Sequence, residues 1–341
     1  MKKNNYVSVL SFAAEKINYI FNSNEKFIKW GCDNKYPKLL LDLFDTVPEH
    51  SSSINFTENL ITSNGINTED IDIWTLKKLT LDFIIFGGYT MKVNKLRNSS
   101  YKYEYIDISK CRFNSNKDMI AYSDEWDKQK AKLTWYPVSY NVTDVTAESV
   151  FYFKNNKSRE LYPRPAYLSG LKQIDTASSI AEYHNNNAKN GFTPSTIINF
   201  NNGNYDEDTK EDIEKAIKEK FTGASAQKFI VLFNETADNA ATISKLDNDA
   251  LDQKFETLQK FVQNEIIISH QITSGQLIGV KPENTGFSKQ EYDEALGVFK
   301  DVVINGYQQE LEYSFSKLFN KEVKFIEDEP IVNNNNDNIV E

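Results

Sequence analysis

The sequence predicts an α+β fold that includes two long helices in need of neighbours, and three observations carry this. Apolar residues recur at helical spacing between positions 36 and 86. Short aromatic and β-branched runs follow from Tyr89 to Lys154, separated by Asn, Ser, Asp and Lys clusters. Two helices with narrow apolar stripes, about 166–189 and 249–272, then flank a small β-α-β unit.

The first helix opens at Tyr36-Pro37, since proline suits the first helical position, and Leu39, Leu40, Leu43 and Phe44 form its stripe. Pro48 begins a second run with Ile54, Leu60 and Ile61, which Asn64-Gly65 stops. A third helix is expected from about Thr68 to Phe86, ending at Gly87-Gly88. The runs YTMKVNKL, YKYEYIDI, MIAYSD, KLTWYPVSY and SVFYFK then predict an antiparallel sheet of successive hairpins. Pro163 and Pro165 mark the boundary after this unit, residues 1–162.

Beyond it, Tyr167, Leu171, Ile174, Ala177 and Ala181 step by three or four along one seam. STIINF (195–200), a helix over 206–221 and QKFIVLFN (227–234) form the β-α-β unit. Its helix presents Ile213, Ala216, Ile217 and Phe221 on one face, so Glu211, Lys215, Lys218 and Lys220 point outward. The second seam helix carries Leu251, Phe255, Leu258, Val262 and Ile266. A long polar connection follows, and Ser288 with Glu291 forms a capping box at the start of the last helix. Gly297 and Gly306 are candidate bend points within that helix, residues 322–326 are a possible strand, and the Asn-rich tail, 331–341, is expected to be disordered.

The chain has 341 residues and a formal net charge of -10, the opposite of the basic excess that gripping a duplex requires. Two cysteines, Cys32 and Cys111, form neither a metal pattern nor a disulfide framework. No N-terminal apolar signal segment and no membrane-spanning run is found, so a soluble protein made in a cytoplasm is expected. His50, His184 and His270 fall in separate segments without ligand spacing, and each reads as a solvated or helix-cap histidine. No nucleophile elbow and no phosphate-cradling glycine loop is present, so neither catalysis nor a cofactor or metal is expected. The acidic clusters Asp206-Glu207-Asp208 and Glu327-Asp328-Glu329 read as solvated faces, with a carboxylate-pair hydrolase as the alternative.

The connection over 273–287 carries Gly275, Gly279 and Gly286 in a glycine-poor chain. It is longer than the roughly eight residues usual between packed helices, which points to a working loop.

Local wording over residues 34–320 resembles the portal proteins of tailed bacteriophages. NKYPKLLLDLFDTVPEHSSSINFTENLITSNGI resembles that family's N-terminal helical pair, and LDFIIFGGYTMKV with EYIDISKCRF its helix-to-sheet passage. LYPRPAYLSGL and NNNAKNGFTPSTII resemble the first stem helix and the turn into the clip. Lys228 to Leu232 resembles the clip strand, and HQITSGQLIGV the approach to the tunnel loop.

The resemblance implies a ring-forming, portal-type architecture. Residues 1–162 and 288–330 would form a wing, 163–190 and 247–272 a two-helix stem, 191–246 a clip and 273–287 a tunnel loop. It implies a homo-oligomeric ring, typically of twelve copies, at one vertex of the virion capsid among major capsid proteins, assembled in the host bacterial cytoplasm. Double-stranded DNA would pass through the bore without sequence preference. The clip would dock the terminase large subunit and later the head-completion or tail adaptor, through Glu211, Lys215, Lys218 and Lys220. Ser274, Gly275, Gly279, Lys281, Glu283, Asn284, Thr285 and Gly286 would face the DNA, and Tyr167, Leu171, Ile174, Leu251, Phe255, Leu258 and Val262 would pack the stem. The acidic balance suits such a conduit, because tight phosphate binding would stall a moving duplex. A different ring-forming head-tail connector is the remaining alternative.

Overall fold

The computed structural model describes residues 21–22, 26–126, 128, 131–189, 196–200, 206–221, 229–233, 248–280 and 288–327. It divides into two units, residues 1–174 with 264–341, and residues 175–263.

In the first unit, β1 (Phe21–Asn22) pairs antiparallel with β2 (Phe27–Ile28), and helices α1 (Tyr36–Thr46), α2 (Pro48–Thr62) and α3 (Ile73–Phe86) follow. Val47 separates α1 from α2 with φ −107° and ψ 107°, the extended backbone that a residue before proline adopts. The third helix starts later than the apolar pattern implies. Thr68 and Asp70 bond to each other at 2.8 Å and hold a local turn, and Asp72 then caps α3 by accepting from Thr75 N at 2.7 Å. Gly87, with φ +86°, ends it.

The sheet contains β3 (Gly88–Lys95), β4 (Tyr101–Ile106), β5 (Cys111–Phe113), β6 (Met119–Tyr122), β7 (Thr134–Ser139) and β8 (Glu148–Lys154), in the order β4-β3-β8-β7-β6-β5. Its neighbours are antiparallel except β7 and β8, which run parallel over Val138↔Val150 and Ser139↔Phe151. The expected ladder of successive hairpins therefore needs correcting. Val150, Phe151 and Tyr152 are all buried, and a strand that is apolar on both faces belongs in the interior of a sheet. So β8 lies between β3 and β7 instead of extending the edge.

Helix α7 (Lys289–Phe299), a π turn (Lys300–Ile304) and α8 (Asn305–Phe319) complete this unit. The irregularity in the last helix lies between the two glycines expected to bend it, and a Cβ at Gly297 or Gly306 would meet no atom within 4 Å. Aromatic contacts bind helices to sheet. Tyr89 of β3 lies 5.6 Å from Phe315 of α8, and its phenol bonds Ser314 Oγ at 2.7 Å. Phe83 of α3 packs against Phe153 and Tyr307. Each such ring stabilises the unit by about 1.5–3 kcal/mol when fully buried. The expected C-terminal strand is a single antiparallel bridge, Ile66↔Phe325.

Arg112 is 2% exposed and donates to the carbonyls of Ser109 and Cys111 and to Asn34 Oδ1. Its guanidinium lies over the rings of Trp30 and Trp126, at 5.5 Å and 4.9 Å. Burial brings its pKa down to about 10, so it remains charged at neutral pH and ties the Asn34 loop to β5.

The second unit contains most of α4 (Leu171–Lys189), then β9 (Thr196–Phe200), α5 (Glu207–Phe221), β10 (Phe229–Phe233) and most of α6 (Asn248–Ser269). β9 and β10 pair in parallel from Thr196↔Phe229 to Phe200↔Phe233, the arrangement that a helical crossover permits. The helix expected from Ala166 begins as a 3-10 turn, Ala166–Gly170. Gly170 lies against α6 so closely that a Cβ would sit 2.3 Å from Ser269 Oγ.

Candidate functional site

The connection between α6 and α7 starts as a built structure. His270, the residue after α6, donates its backbone N–H to Ile266 O, and Gln271 turns the chain with φ +57°. Thr273 Oγ1 donates to Ala295 O of α7 at 2.7 Å. Ser274 then caps a 3-10 turn, Gly275–Ile278, and the buried Leu277 anchors it. Gly279 closes the turn at φ +87°, with its N–H on Gln276 O at 3.2 Å. Ser274, Gly275 and Gly279 therefore belong to a packed turn, while Lys281, Glu283, Asn284, Thr285 and Gly286 lie outside the described residues.

This changes the meaning of Gly279. It supplies a left-handed backbone to a fixed turn, which proline cannot adopt because its ring holds φ near −65°. Gly279→Pro should lower the unfolding free energy by roughly 2–4 kcal/mol, losing a hydrogen bond as well as the backbone fit. Gly279→Ala should lose only about 1–2 kcal/mol, because no atom lies within 4 Å of its added Cβ. Denaturant titration separates the two, and equal losses would show that the turn does not depend on the φ angle.

The expectation that His50 and His270 are solvated or cap histidines is wrong. Both are buried, and His50 Nδ1 lies 2.8 Å from His270 Nε2. Tyr167 meets His50 edge-on at 4.6 Å, stacks on His270 at 4.9 Å, and donates its hydroxyl to Ile85 O at 2.7 Å. His184 is exposed, as expected. The only sequence signal for the pair is that His50 falls among buried-face positions of α2, with Ser53, Ile54 and Thr57.

The expected stem residues separate into two groups. Tyr167, Leu171 and Ile174 are buried within a single chain, as is Val262. Leu258 is 39% exposed and its neighbour Phe261 55%. Residues 256–261 of α6 and 181–186 of α4 are exposed throughout, including Tyr183. The side chains of Leu251 and Phe255 lie outside the described residues. On α5, Glu211 and Lys215 are exposed, and the side chains of Lys218 and Lys220 are not among those described.

A cavity of about 710 Å³ is lined by Asn64, Lys300, Gln308, Lys324 and two carboxylates, Glu312 and Glu327. Glu312 is tied up by Lys324 Nζ at 3.1 Å and Phe325 N at 3.0 Å. A second of about 560 Å³, beside Phe153 and Tyr313, contains Glu310, whose carboxyl is pushed up by burial. Asp82 is pushed well above the carboxylate range by burial and by Asp107, yet Tyr105 holds it inside the fold and it lines neither cavity. No group of three or more His, Cys, Asp or Glu among the described residues could hold a metal ion. No described helix is long and apolar enough to cross a membrane.

No protein-family model matches the chain. It is 25% identical over 247 residues to a protein described as "Probable portal protein" of Escherichia phage P2, a match covering 70% of this chain and 65% of that relative's length. Its fold matches a chain in the virion of a native gene transfer agent particle, with TM-score 0.53 and 11% identity over 95% of this chain and 89% of that one. A chain from the neck of the empty particle, computed with C6 symmetry, gives TM-score 0.53 and 11% identity over 96% and 91%. One from the native neck with C12 symmetry gives 0.50 and 11% over 93% and 87%. At that identity the structural likeness concerns fold alone. The chain thus resembles a tailed-bacteriophage portal protein in sequence and shares the fold of particle-neck chains.

Proposed function

We propose that this chain is a portal protein, whose copies form a ring at one capsid vertex through which double-stranded DNA is packaged and ejected. The exposed stretches 181–186 of α4 and 256–261 of α6 carry this reading. Leu258, Phe261 and Tyr183 are large apolar or aromatic groups exposed in a single chain, and lateral neighbours would cover them. A head-to-tail repeat of one such contact closes into a ring when its rotation divides the circle. Wing, stem and clip then correspond to the sheet-bearing unit, the outer parts of α4 and α6, and the β9-α5-β10 piece. The bore would admit DNA without gripping it, consistent with the net charge of -10. The test is nuclease-protected DNA per particle, with particles produced with and without this chain. The reading expects protected DNA only when the chain is present, and full protection in its absence would sink it.

The exposed face of α5, with Glu211 and Lys215, is the proposed terminase-docking surface, and Lys218 extends it by helical spacing, whereas Lys220 falls at the angle of the apolar positions. Reversing the charge at Lys215 and Lys218 should leave assembly intact and reduce packaged DNA severalfold, because interfacial charge governs encounter rate more than fold. Unchanged packaging would place docking elsewhere.

A further inference from the structure

We propose that His50 and His270 form a proton-operated latch, which while neutral holds the start of the α6–α7 connection against α2 and which releases it on acidification. The inference rests on the fold alone and holds whether or not copies form a ring.

The bond joins residues 220 positions apart, one in the first turn of α2 and the other just after α6 ends. In a bond between two imidazoles, one ring nitrogen donates and the other accepts. Protonating both rings sets N–H against N–H and breaks it. Protonating one leaves a buried cation with no carboxylate acting on it among the described residues. Tyr167 packs on both rings, with the phenols of Tyr36 and Tyr307 acting on Tyr167 in turn. Among the described residues, no ammonium acts on either imidazole; burial and His270 lower His50, and burial lowers His270. His50 Nε2 is buried without a hydrogen-bond partner, so the closed cluster already carries one unsatisfied polar atom.

Burial brings His50 down to about 2, with His270 adding to the effect, and His270 down to about 3. Both are lowered, so the closed form binds no proton at neutral pH while an opened imidazole titrates near its ordinary 6.5. Above 6.5 both forms are neutral and pH has no influence. Below it the opened form gains protons that the closed form refuses, and closure weakens steadily as pH falls. At pH 5.0 each histidine that is released favours opening by about 30-fold relative to pH 7.5.

What opens is local. His270 leads directly into Gln271, Thr273 and the 3-10 turn, so freeing its ring removes the first of the ties that position that turn.

The experiment is amide hydrogen exchange of the full chain at pH 7.5 and 5.0, corrected for the intrinsic dependence of exchange on pH. It compares residues 266–280 with β3, residues 88–95. In the wild type, opening at 266–280 should rise about 30-fold or more while β3 stays protected. The His50→Gln, His270→Gln double variant keeps side chains that hydrogen-bond without titrating, and it should be flat across the same range. A flat wild type, or an equal rise in the double variant, overturns the proposal. If the double variant does not fold, the wild type still decides: loss shared equally by β3 means global acid unfolding and no latch.

Discussion

Replacing Tyr167 with alanine is expected to destabilise the sheet-bearing unit by about 4–6 kcal/mol, from the cavity of a lost aromatic ring and an orphaned buried carbonyl. Its ring packs against both His50 and His270, and its hydroxyl is the partner of Ile85 O. Tyr167→Phe keeps the ring and loses only the hydrogen bond, so about 1–3 kcal/mol is expected, the upper end because Ile85 O is left buried. Urea unfolding followed by tryptophan fluorescence reports both, since Trp30 is fully buried in the same unit. Equal losses for the two variants would mean that the ring contacts with the histidines contribute nothing.

The second large effect is on assembly. Leu258→Ser with Phe261→Ser removes apolar surface that is 39% and 55% exposed in a single chain, so the folded subunit should change little. Between subunits, each fully covered side chain would contribute about 1.5–3 kcal/mol, and the partial exposure here roughly halves that. Two such losses weaken each contact by about one to two orders of magnitude, and every contact around a ring suffers equally. Sedimentation should show small species with an unchanged far-ultraviolet circular dichroism spectrum. Intact oligomers in the double variant would move the interface away from α6.

Much of this architecture was legible from local chemistry. Pro37 and Pro48 mark helix starts, Gly87 a helix end and Ser288 a cap, and each does so through backbone requirements that a single position reveals. The β9-α5-β10 unit was equally readable, because its strands are short and its helix is amphipathic. What escaped depends on residues far apart. The apolar run Val150-Phe151-Tyr152 marks β8 as an interior strand, but nothing local says that β3 and β7 will be its neighbours. His50 and His270 carry no local signature, because imidazoles in two distant segments become a pair only when α2 meets the end of α6. Glycines make the loop conspicuous in the sequence, whereas the order in 270–280 comes from Thr273, Ser274 and Leu277. In α4 and α6, periodicity identifies the seam but does not separate positions covered within one chain, such as Leu171 and Ile174, from Leu258, which is not.

The most direct test of the central claim is to image the purified wild-type chain by negative-stain electron microscopy at micromolar concentration and near-neutral pH, with particle masses measured on the same sample. The account predicts rings with an open central channel and a mass that is an integral multiple of 39.3 kDa. A population of monomers alone, with α4 and α6 still helical, would contradict it.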